Sequence, residues 1–312
     1  MNKRIIITGV NGFVGYHLSK QLKEKGYDTV GIALEDRSNE KVAPFLNTYY
    51  QANLVEKWPE VGKVDAIIHL AGLSAVGASF ARPQLYINGN TAMITNLCEY
   101  YLDKEKPRLL VVSSGAIYES EQELPICERS ALGVHSPYAV SKIAVENQVS
   151  YYNERGFEIL IARPFNHIGQ GQGRGFLLPD LYHQIQNLSR GEREVKVGNL
   201  KTARDYTDVR DVAAAYIQLI EKETLDGKVF NICSGVSHTG VEIFQLILEK
   251  LGRTDIRSVV SKSLIRPTEV RNIYGSFELL HKATGWTPQY SLKDSVASFI
   301  DFELKQKVGV DE

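Results

Sequence analysis

The sequence predicts an α/β protein built on a doubly wound parallel sheet, with a smaller mixed α/β lobe towards the C-terminus. Three observations favour this fold. Short β-branched and aliphatic runs alternate with segments of helical hydrophobic spacing over the first half of the chain. The first of these runs leads directly into a glycine-rich turn, and a second group of glycines at 169–175 ends the alternation.

The first strand and helix carry the strongest local signals. Arg4–Thr8 is a β-branched run, typical of a strand buried on both faces, and it ends at a glycine. Phe13–Lys25 has apolar residues at helical spacing and closes with a basic last turn before Gly26. Further strands are predicted, in chain order, at Thr29–Ala33, Asp65–Leu70, Leu109–Ser113 and Glu158–Ala162.

Two more helices complete the first half of the chain. One is predicted at Gln84–Tyr101, and another begins after Ser136 and runs to about Tyr152. Ser136 is a good N-cap, and Pro137 occupies the first helical position, where its missing N–H costs nothing. Strands separated by helices imply a parallel sheet with helices on both faces. We therefore expect a dinucleotide-binding domain at 1–165, to which 206–232 also contributes.

The alternating pattern changes after residue 164. The four glycines within 169–175 mark a loop, and the segments beyond it are less regular. The remaining predicted elements are helix Leu177–Ser189, strand Glu194–Val197, and helices Val209–Glu221, Gly240–Leu251 and Ser291–Lys305. They predict a smaller substrate-binding lobe over 166–312, with a boundary that the chain crosses more than once.

Composition excludes several functional classes. The 36 basic and 37 acidic residues give a net charge of −1, so no basic field favours nucleic acid or anionic lipid. No apolar run approaches the ~18 residues of a membrane span, and the N-terminus reads as a strand, not a signal peptide. Cys98, Cys127 and Cys233 are far apart, which argues against a metal site or disulfides and for a reducing cytoplasm. We expect all three to be buried fillers.

A glycine motif connects the first strand to the first helix. Its spacing is Gly-x-x-Gly-x-x-Gly, a variant of the dinucleotide fingerprint. Such glycines permit a tight turn and let a pyrophosphate approach the helix N–H groups. The alternative is that they merely pack the corner between strand and helix. The residues expected to bind a cofactor here are Gly9, Asn11, Gly12, Phe13, Val14 and Gly15.

A second motif suggests proton transfer. Tyr138 and Lys142 are four residues apart near a helix N-terminus, so they share one helix face. A phenol with a pKa near 10 is a poor acid–base group at neutral pH. The neighbouring ammonium and the helix dipole are expected to lower that pKa. Ser114 follows a predicted strand at the carboxyl edge of the sheet, where its hydroxyl could hydrogen-bond a substrate oxygen.

Together these motifs resemble the extended short-chain dehydrogenase/reductases that act on nucleotide-linked sugars, over essentially the whole chain. The resemblance implies a Rossmann-type fold with Ser114, Tyr138 and Lys142 as catalytic triad. Tyr138 would exchange a proton with the sugar oxygen while hydride moves to or from a nicotinamide. Lys142 would also hold the nicotinamide ribose.

The resemblance extends to the strand that precedes residue 70. It implies that the cofactor lies along Leu70, Ala71 and Gly72, and that Asn88 supports the site. His69 is interpreted as a structural histidine of the strand, whose ring hydrogen-bonds to backbone groups, and not as a catalyst.

The same pattern locates the residues that choose between NAD(H) and NADP(H). Ala33 stands where an acid would hold the adenosine ribose, and Arg37 is near enough to serve a 2′-phosphate. This slightly favours NADPH; the alternative is that Arg37 is a solvated loop charge. Asn53, in place of a common acid, and Leu54 are also expected to contact the cofactor.

The segment from 162 to 211 resembles GDP-4-dehydro-6-deoxy-D-mannose reductases, which make GDP-rhamnose. This resemblance implies that Asn166 contacts the pyrophosphate, that Arg204 and Arg266 pair with its charge, and that Glu269 holds the nucleotide ribose. A structural ion pair with Asp205 or Asp208 is the alternative for Arg204. The other expected substrate contacts are Ser74, Phe176 and Val197, the last two as candidates for the base pocket.

Three functions compete. Related dehydratases carry acids after the serine, and this chain has Gly115-Ala116-Ile117, which leaves ketone reduction or C4 epimerisation. The leading hypothesis is reduction of a nucleoside-diphosphate 4-keto-6-deoxyhexose, with GDP favoured and dTDP, CDP or UDP as alternatives. A 4-epimerase with tightly bound NAD is the second, and a non-catalytic dinucleotide sensor is the third.

Two tyrosine pairs end predicted helices. Tyr100-Tyr101 and Tyr151-Tyr152 lie on helices that, in the family, pair into a four-helix dimer interface. Aromatic residues are enriched in such interfaces. The alternative is that they are half-buried core residues. We therefore expect a homodimer.

Overall fold

A parallel sheet of seven strands forms the centre of the computed structural model, which describes residues 3–225, 227–264 and 271–308. The strands are β1 Arg4–Thr8, β2 Asp28–Ala33, β3 Thr48–Gln51, β4 Ala66–His69, β5 Arg108–Val112, β6 Ile159–Pro164, β7 Asn166–Ile168, β8 Glu194–Val197, β9 Ala203–Asp208, β10 Val229–Ile232, β11 Ser237–Thr239, β12 Arg257–Val260 and β13 Asn272–Ile273. The helices are α1 Phe13–Glu24, α2 Val76–Ala81, α3 Pro83–Tyr101, α4 Pro137–Glu154, α5 Leu177–Gln186, α6 Val209–Glu221, α7 Gly240–Leu251, α8 Glu278–Thr284 and α9 Leu292–Val308.

The order of strands in the sheet is β10-β6-β5-β4-β1-β2-β3, and every neighbouring pair is parallel. The strand order reverses between β1 and β4. Ligands of open parallel sheets bind at such a reversal, beyond the carboxyl ends of the strands. Thr8 and His69 are register partners there, so the segments that follow these two strands lie side by side.

Each face of the sheet carries its own hydrophobic core. Ile5 and Ile7 of β1 point to one face, where α1 and α6 pack. Ile6 points to the other face, where α3 and α4 pack. This alternation follows from the period of two along a strand, and it buries both sides of the sheet.

A third core holds the C-terminal half together. It is built from apolar residues of α5, α7 and α9 against β8. Beside it, β9 pairs with β7, β11 and β13, and β12 pairs with β8. No helix in the described part of the chain is long and apolar enough to cross a bilayer.

The predicted fold class is confirmed, and most elements lie within a few residues of their expected bounds. Ser136 caps α4 by accepting a hydrogen bond from the Ala139 amide (3.1 Å), with Pro137 in the first turn. The helix predicted at Leu177–Ser189 ends at Gln186. Cys98 and Cys233 are buried as expected, but Cys127 is exposed, so that expectation is wrong for this residue.

Candidate active site

The glycines after β1 form a bare cradle at the strand-order reversal. Gly9 has a φ of +66°, and a Cβ there would lie 2.9 Å from the Ala71 backbone nitrogen. A Cβ at Gly15 would lie 2.6 Å from the Val10 carbonyl carbon, and closer still to its oxygen. Gly9 therefore permits the turn, and Gly15 permits α1 to pack against the end of β1.

The cradle fits a pyrophosphate. Gly12 is exposed at the N-terminus of α1, and none of the described side chains caps that helix. Its first N–H groups thus lack side-chain acceptors, and a helix N-terminus of this kind favours an anion. Phe13 and Val14, the first residues of α1, are partly exposed beside it, as a cofactor contact requires.

Asn11 fixes the loop after β2. Its side-chain amide donates to the Glu35 carboxylate (3.0 Å), and its side-chain oxygen accepts from the Asn39 N–H (2.8 Å). Arg37 lies in this loop with its side chain exposed. Asn11 therefore positions the loop that would select between the two nicotinamide dinucleotides, a role that its glycine-loop position alone does not predict.

A cleft of about 230 Å³ lies beside the same loop. Leu34, 65% exposed, and Asn53 line it. These residues suit the flat apolar face and polar edge of an adenine. Leu54 differs from expectation, because its side chain is buried in the core beneath the cleft. Its backbone carbonyl accepts from Asn96 (3.0 Å).

Ser114 and Tyr138 meet at the carboxyl end of β5. Ser114 caps a short turn, where its Oγ accepts from the Ala116 N–H (3.1 Å). The Ser114 hydroxyl lies close enough to the Tyr138 phenol to lower its pKa. One small substrate oxygen can therefore contact both hydroxyls, which is the geometry that proton transfer to a carbonyl oxygen needs.

The pKa of Tyr138 differs from the expectation. Burial raises the pKa of the phenol above its usual value, and the neighbouring Ser114 hydroxyl lowers it by a smaller amount. The expectation that Lys142 lowers this pKa is wrong for the protein without ligands. Lys142 instead donates to the Val112 carbonyl (2.8 Å), and its Nζ lies 5.9 Å from the centre of the Tyr138 ring.

Lys142 lies beneath the segment that follows β4. A Cβ at Gly72 would lie 3.6 Å from the lysine Nζ, so the bare backbone there leaves space beside the ammonium. Burial lowers the pKa of Lys142 to about 8. The ammonium is therefore mostly charged at neutral pH, but it titrates close enough to neutrality for a neighbouring charge to change its state.

Asn90, not Asn88, supports the site. Asn88 is exposed on α3. Asn90 is buried, accepts from the Leu73 N–H (2.8 Å), and donates to the Leu73 carbonyl (3.2 Å) and to Ser141 of α4 (2.9 Å). It thereby joins the segment after β4 to the helix that carries Tyr138 and Lys142. The expectation for Asn88 is corrected accordingly.

His69 is a structural residue, as interpreted, although its partner is a side chain. Its Nδ1 hydrogen-bonds to the Thr8 hydroxyl (2.9 Å), and that hydroxyl also accepts from the Ala71 N–H (3.1 Å). Burial lowers the pKa of His69 to about 3, so the ring is neutral at physiological pH. The pair fixes the relative position of the two segments beyond β1 and β4.

Apart from Ser114 and Arg204, the residues expected to bind substrate divide into three groups. Ser74, Asn166 and Phe176 are exposed. Val197 is 4% exposed and packs inside the third core, so its assignment to a base pocket is wrong. Arg266 and Glu269 lie outside the described residues.

Arg204 lies on β9 and donates to the Ala203 carbonyl (2.7 Å). The two carboxylates proposed as its ion-pair partners are engaged elsewhere. Asp205 accepts from the Ser234 hydroxyl (2.7 Å), and Asp208 pairs with Arg210 (2.8 Å).

A ring stack that the sequence reasoning missed joins the two candidate binding regions. Phe13, in the first turn of α1, stacks on His167, the neighbour of Asn166, with ring centres 6.0 Å apart. Phe13 belongs to the glycine motif and His167 to the segment 162–211, and their separation of more than 150 positions gives no signal that they meet.

A sequence profile of the NAD dependent epimerase/dehydratase family matches residues 5–233, a span that holds the glycine cradle, Ser114, Tyr138 and Lys142. The chain belongs to this family. It is an NAD(P)-dependent oxidoreductase of the extended short-chain dehydrogenase/reductase type.

Both reductases and epimerases occur among the relatives of this family member. GDP-6-deoxy-D-mannose reductase of Pseudomonas aeruginosa is 31% identical over 98% of this chain and 99% of its own. A solved structure of RMD from Pseudomonas aeruginosa complexed with NADPH has a TM-score of 0.83, with 31% identity over 97% of this chain and 100% of its own. UDP-glucose 4-epimerase 2 of Arabidopsis thaliana is 26% identical over 94% of this chain and 93% of its own.

Proposed function

We propose that the enzyme reduces the C4 ketone of a nucleoside-diphosphate 4-keto-6-deoxyhexose, namely GDP-4-keto-6-deoxy-D-mannose to GDP-D-rhamnose, with NADPH as reductant. The observation that carries the proposal is that the Ser114 and Tyr138 hydroxyls are neighbours at the end of β5, with the Lys142 Nζ 5.9 Å from the centre of the Tyr138 ring. The sequence Gly115-Ala116-Ile117 after the serine offers no carboxylate for dehydration. The 31% identity to a GDP-6-deoxy-D-mannose reductase supports the choice of sugar nucleotide.

The state of Tyr138 suits the reductive direction. A bound nicotinamide supplies hydride to the carbonyl carbon. Ser114 donates a hydrogen bond to the carbonyl oxygen, and Tyr138 donates the proton that the new alkoxide needs. Because burial raises the pKa of Tyr138, the phenol carries its proton at neutral pH, which is the form required of an acid.

We further propose how the ligands divide between the two halves of the chain. The dinucleotide lies on 1–165, together with 206–232, along the cradle and the segment after β4. The sugar nucleotide lies on 166–312, where Asn166 and Arg204 would meet its pyrophosphate. The exposed Phe176 at the start of α5 remains the candidate for stacking on the base.

Arg37 is proposed to select NADPH. Asn11 donates to the Arg37 carbonyl (3.3 Å), so the backbone of Arg37 lies beside the cradle. Arg37→Ala is expected to raise the KM for NADPH by about tenfold or more and to leave the KM for NADH unchanged, because a charge-assisted contact to the 2′-phosphate is lost. Arg37→Lys is the matched control, and it should recover part of the preference. Equal losses with both cofactors would show that Arg37 serves only the loop.

The reaction is tested by mixing the enzyme with NADPH and GDP-4-keto-6-deoxy-D-mannose and following the absorbance of the reduced nicotinamide. We expect one NADPH oxidised per sugar nucleotide consumed. The dTDP-, CDP- and UDP-linked 4-keto-6-deoxyhexoses serve as comparison substrates, and we expect lower kcat/KM for each. No oxidation of NADPH with any of them would end the reductase proposal.

Epimerisation is the second candidate, because epimerases align over almost the whole chain. An epimerase keeps its dinucleotide through the catalytic cycle and needs no added reductant. Native mass spectrometry of the purified protein separates the two functions. One firmly bound NAD per chain would favour the epimerase, and a chain without dinucleotide would favour the reductase.

We also propose a homodimer through α3 and α4. These helices pack side by side, and Leu85 and Tyr151 are about half exposed on their outer surfaces. Tyr101 and Tyr152, by contrast, are buried in the core and cannot reach a partner. Light scattering at micromolar concentration should give about twice the chain mass of 34.9 kDa. A mass equal to one chain would contradict the dimer.

The free cysteines agree with the cytoplasm as the proposed compartment.

A further inference from the structure

We infer that Glu146 is a positioning residue that keeps the Lys142 ammonium charged, and that the buried Arg163 guanidinium holds Glu146 in place for this task. The catalytic consequence of this inference rests on the proposed function, since Lys142 matters to the reaction only if the site is the one described above. The charge state of Lys142, by contrast, does not depend on which reaction the enzyme catalyses.

The pair between Glu146 and Arg163 is bidentate and buried. Arg163 Nε donates to one carboxylate oxygen of Glu146 (3.0 Å), and a terminal nitrogen donates to the other (2.6 Å). Glu146 is 8% exposed and Arg163 is 5% exposed. Glu146 follows Lys142 by four residues on α4, so both side chains lie on one face of the helix.

Further hydrogen bonds prevent Arg163 from moving away. Its other terminal nitrogen donates to the Tyr118 hydroxyl (2.9 Å) and to the Glu128 carbonyl (3.1 Å). Tyr118 in turn donates to the Asn231 side-chain oxygen (2.6 Å) on β10. The guanidinium is thus held by the segment between β5 and α4, which β10 supports through Asn231, and it fixes the Glu146 carboxylate.

The charges around Lys142 make Glu146 decisive. Burial lowers the pKa of Lys142, and the Glu146 carboxylate raises it. Among the described residues, Tyr138 on the same helix and His69 on β4 also face the ammonium, and burial keeps both uncharged at neutral pH. The Arg163 cation is paired with the Glu146 carboxylate and opposes part of its effect. The remaining close neighbours are the Val112 carbonyl and the Asn90 amide, which carry no net charge.

Stability alone does not explain why Glu146 and Arg163 form a buried ion pair at this place. A buried ion pair gives little or no net stability relative to a well-packed apolar replacement, because desolvation offsets the Coulomb attraction. A carboxylate one helical turn from a lysine that burial tends to neutralise, however, changes the charge state of that lysine. Glu146 therefore has a function that an apolar residue of the same size would lack.

The test is a pH titration of Lys142 by NMR, with lysine labelled at the ε-carbon and the signal assigned by its loss in Lys142→Met. The measurement uses no substrate, so its outcome is independent of which reaction the enzyme catalyses. In the unaltered protein we expect a midpoint at about 8. Glu146→Gln is expected to lower the midpoint by about one pH unit or more, because a nearby negative charge is lost. Glu146→Asp, which keeps the charge, should recover most of the shift.

Tyr118→Phe is the matched control. It removes the hydrogen bonds to Arg163 and Asn231 from the same network and leaves the charges near Lys142 unchanged. A purely structural network predicts similar losses of stability in both variants and no change of the midpoint in either. An unchanged midpoint in Glu146→Gln would overturn the inference.

A double variant covers the case in which Glu146→Gln fails to fold because it leaves Arg163 unpaired. Glu146→Gln/Arg163→Met buries no unpaired charge and removes the carboxylate from the vicinity of Lys142. It is expected to show a downward shift that is smaller than that of Glu146→Gln, because the Arg163 cation is removed together with the carboxylate. In the enzyme assay, either variant should lose activity at a lower pH than the unaltered protein, while Tyr118→Phe should keep the original pH profile.

Discussion

Tyr138→Phe is expected to lower kcat by about 1,000-fold, because it removes the hydroxyl that gives its proton to the sugar oxygen. The phenyl ring fills the same buried space, so folding and the affinity for NADPH should change by no more than about twofold. The loss is therefore expected in kcat, with little change in dinucleotide binding. Stopped-flow or steady-state oxidation of NADPH measures the first quantity, and fluorescence titration measures the second.

Tyr86→Phe is the matched control for this variant. Tyr86 is a buried tyrosine on α3 whose side chain lies near Tyr138. Removing its hydroxyl changes the burial and shape of the site as little as Tyr138→Phe does, but it takes away no proton donor. We expect near-normal kcat. Comparable losses in the two variants would mean that packing, not proton transfer, explains the effect at Tyr138.

Gly15→Ala is expected to destabilise the protein by about 3 kcal/mol and to abolish dinucleotide binding. A Cβ at this position would lie 2.6 Å from the Val10 carbonyl carbon. The obstacle is backbone, which cannot rotate aside as a flexible side chain can. Helix α1 must therefore move away from β1, and the N–H groups at its start lose their position for the pyrophosphate.

Urea unfolding and titration with NADPH measure the two effects of Gly15→Ala. Gly77→Ala is the control, because Gly77 lies in α2 with no heavy atom within 4 Å of the added Cβ. Alanine in a helix is about 0.5–1 kcal/mol more favourable than glycine, so this control should be as stable as the unaltered protein or more so. Equal stability of Gly15→Ala and the control would contradict the close packing described here.

Local signals predicted much of the fold. The β-branched run of β1, the glycine motif and the Ser136-Pro137 start of α4 each determine structure within a few residues. The third core was less predictable, because α5, α7 and α9 meet through contacts between distant parts of the chain. Val197 illustrates the difference, since its place in that core depends on residues that follow it by about fifty positions or more.

The choice between Asn88 and Asn90 could have been made from the sequence. Two residues two positions apart on a helix point about 200° apart, so only one of them can face the core. Tyr86, Met93 and Leu97 recur at helical spacing with Asn90 and are buried with it. The apolar periodicity of α3 therefore identifies Asn90 as the inward residue.

The pKa of Tyr138 could not have been predicted from spacing. The four-residue separation from Lys142 placed the two side chains on one helix face, and that inference was correct. Whether the pKa of the phenol is raised or lowered depends on how deeply the phenol is buried and on which atom the Lys142 ammonium contacts. Both are set by β5 and the segment after β4, which are distant from Tyr138 in sequence.

Hydride delivery to C4 of the sugar is the central claim, and isotope transfer tests it most directly. The enzyme is incubated with GDP-4-keto-6-deoxy-D-mannose and NADPH that carries deuterium at the reactive carbon of the nicotinamide, and the product is analysed by NMR. The account predicts GDP-D-rhamnose with one deuterium, located at C4. A product without deuterium at C4, or an unchanged ketone beside unoxidised NADPH, would contradict it.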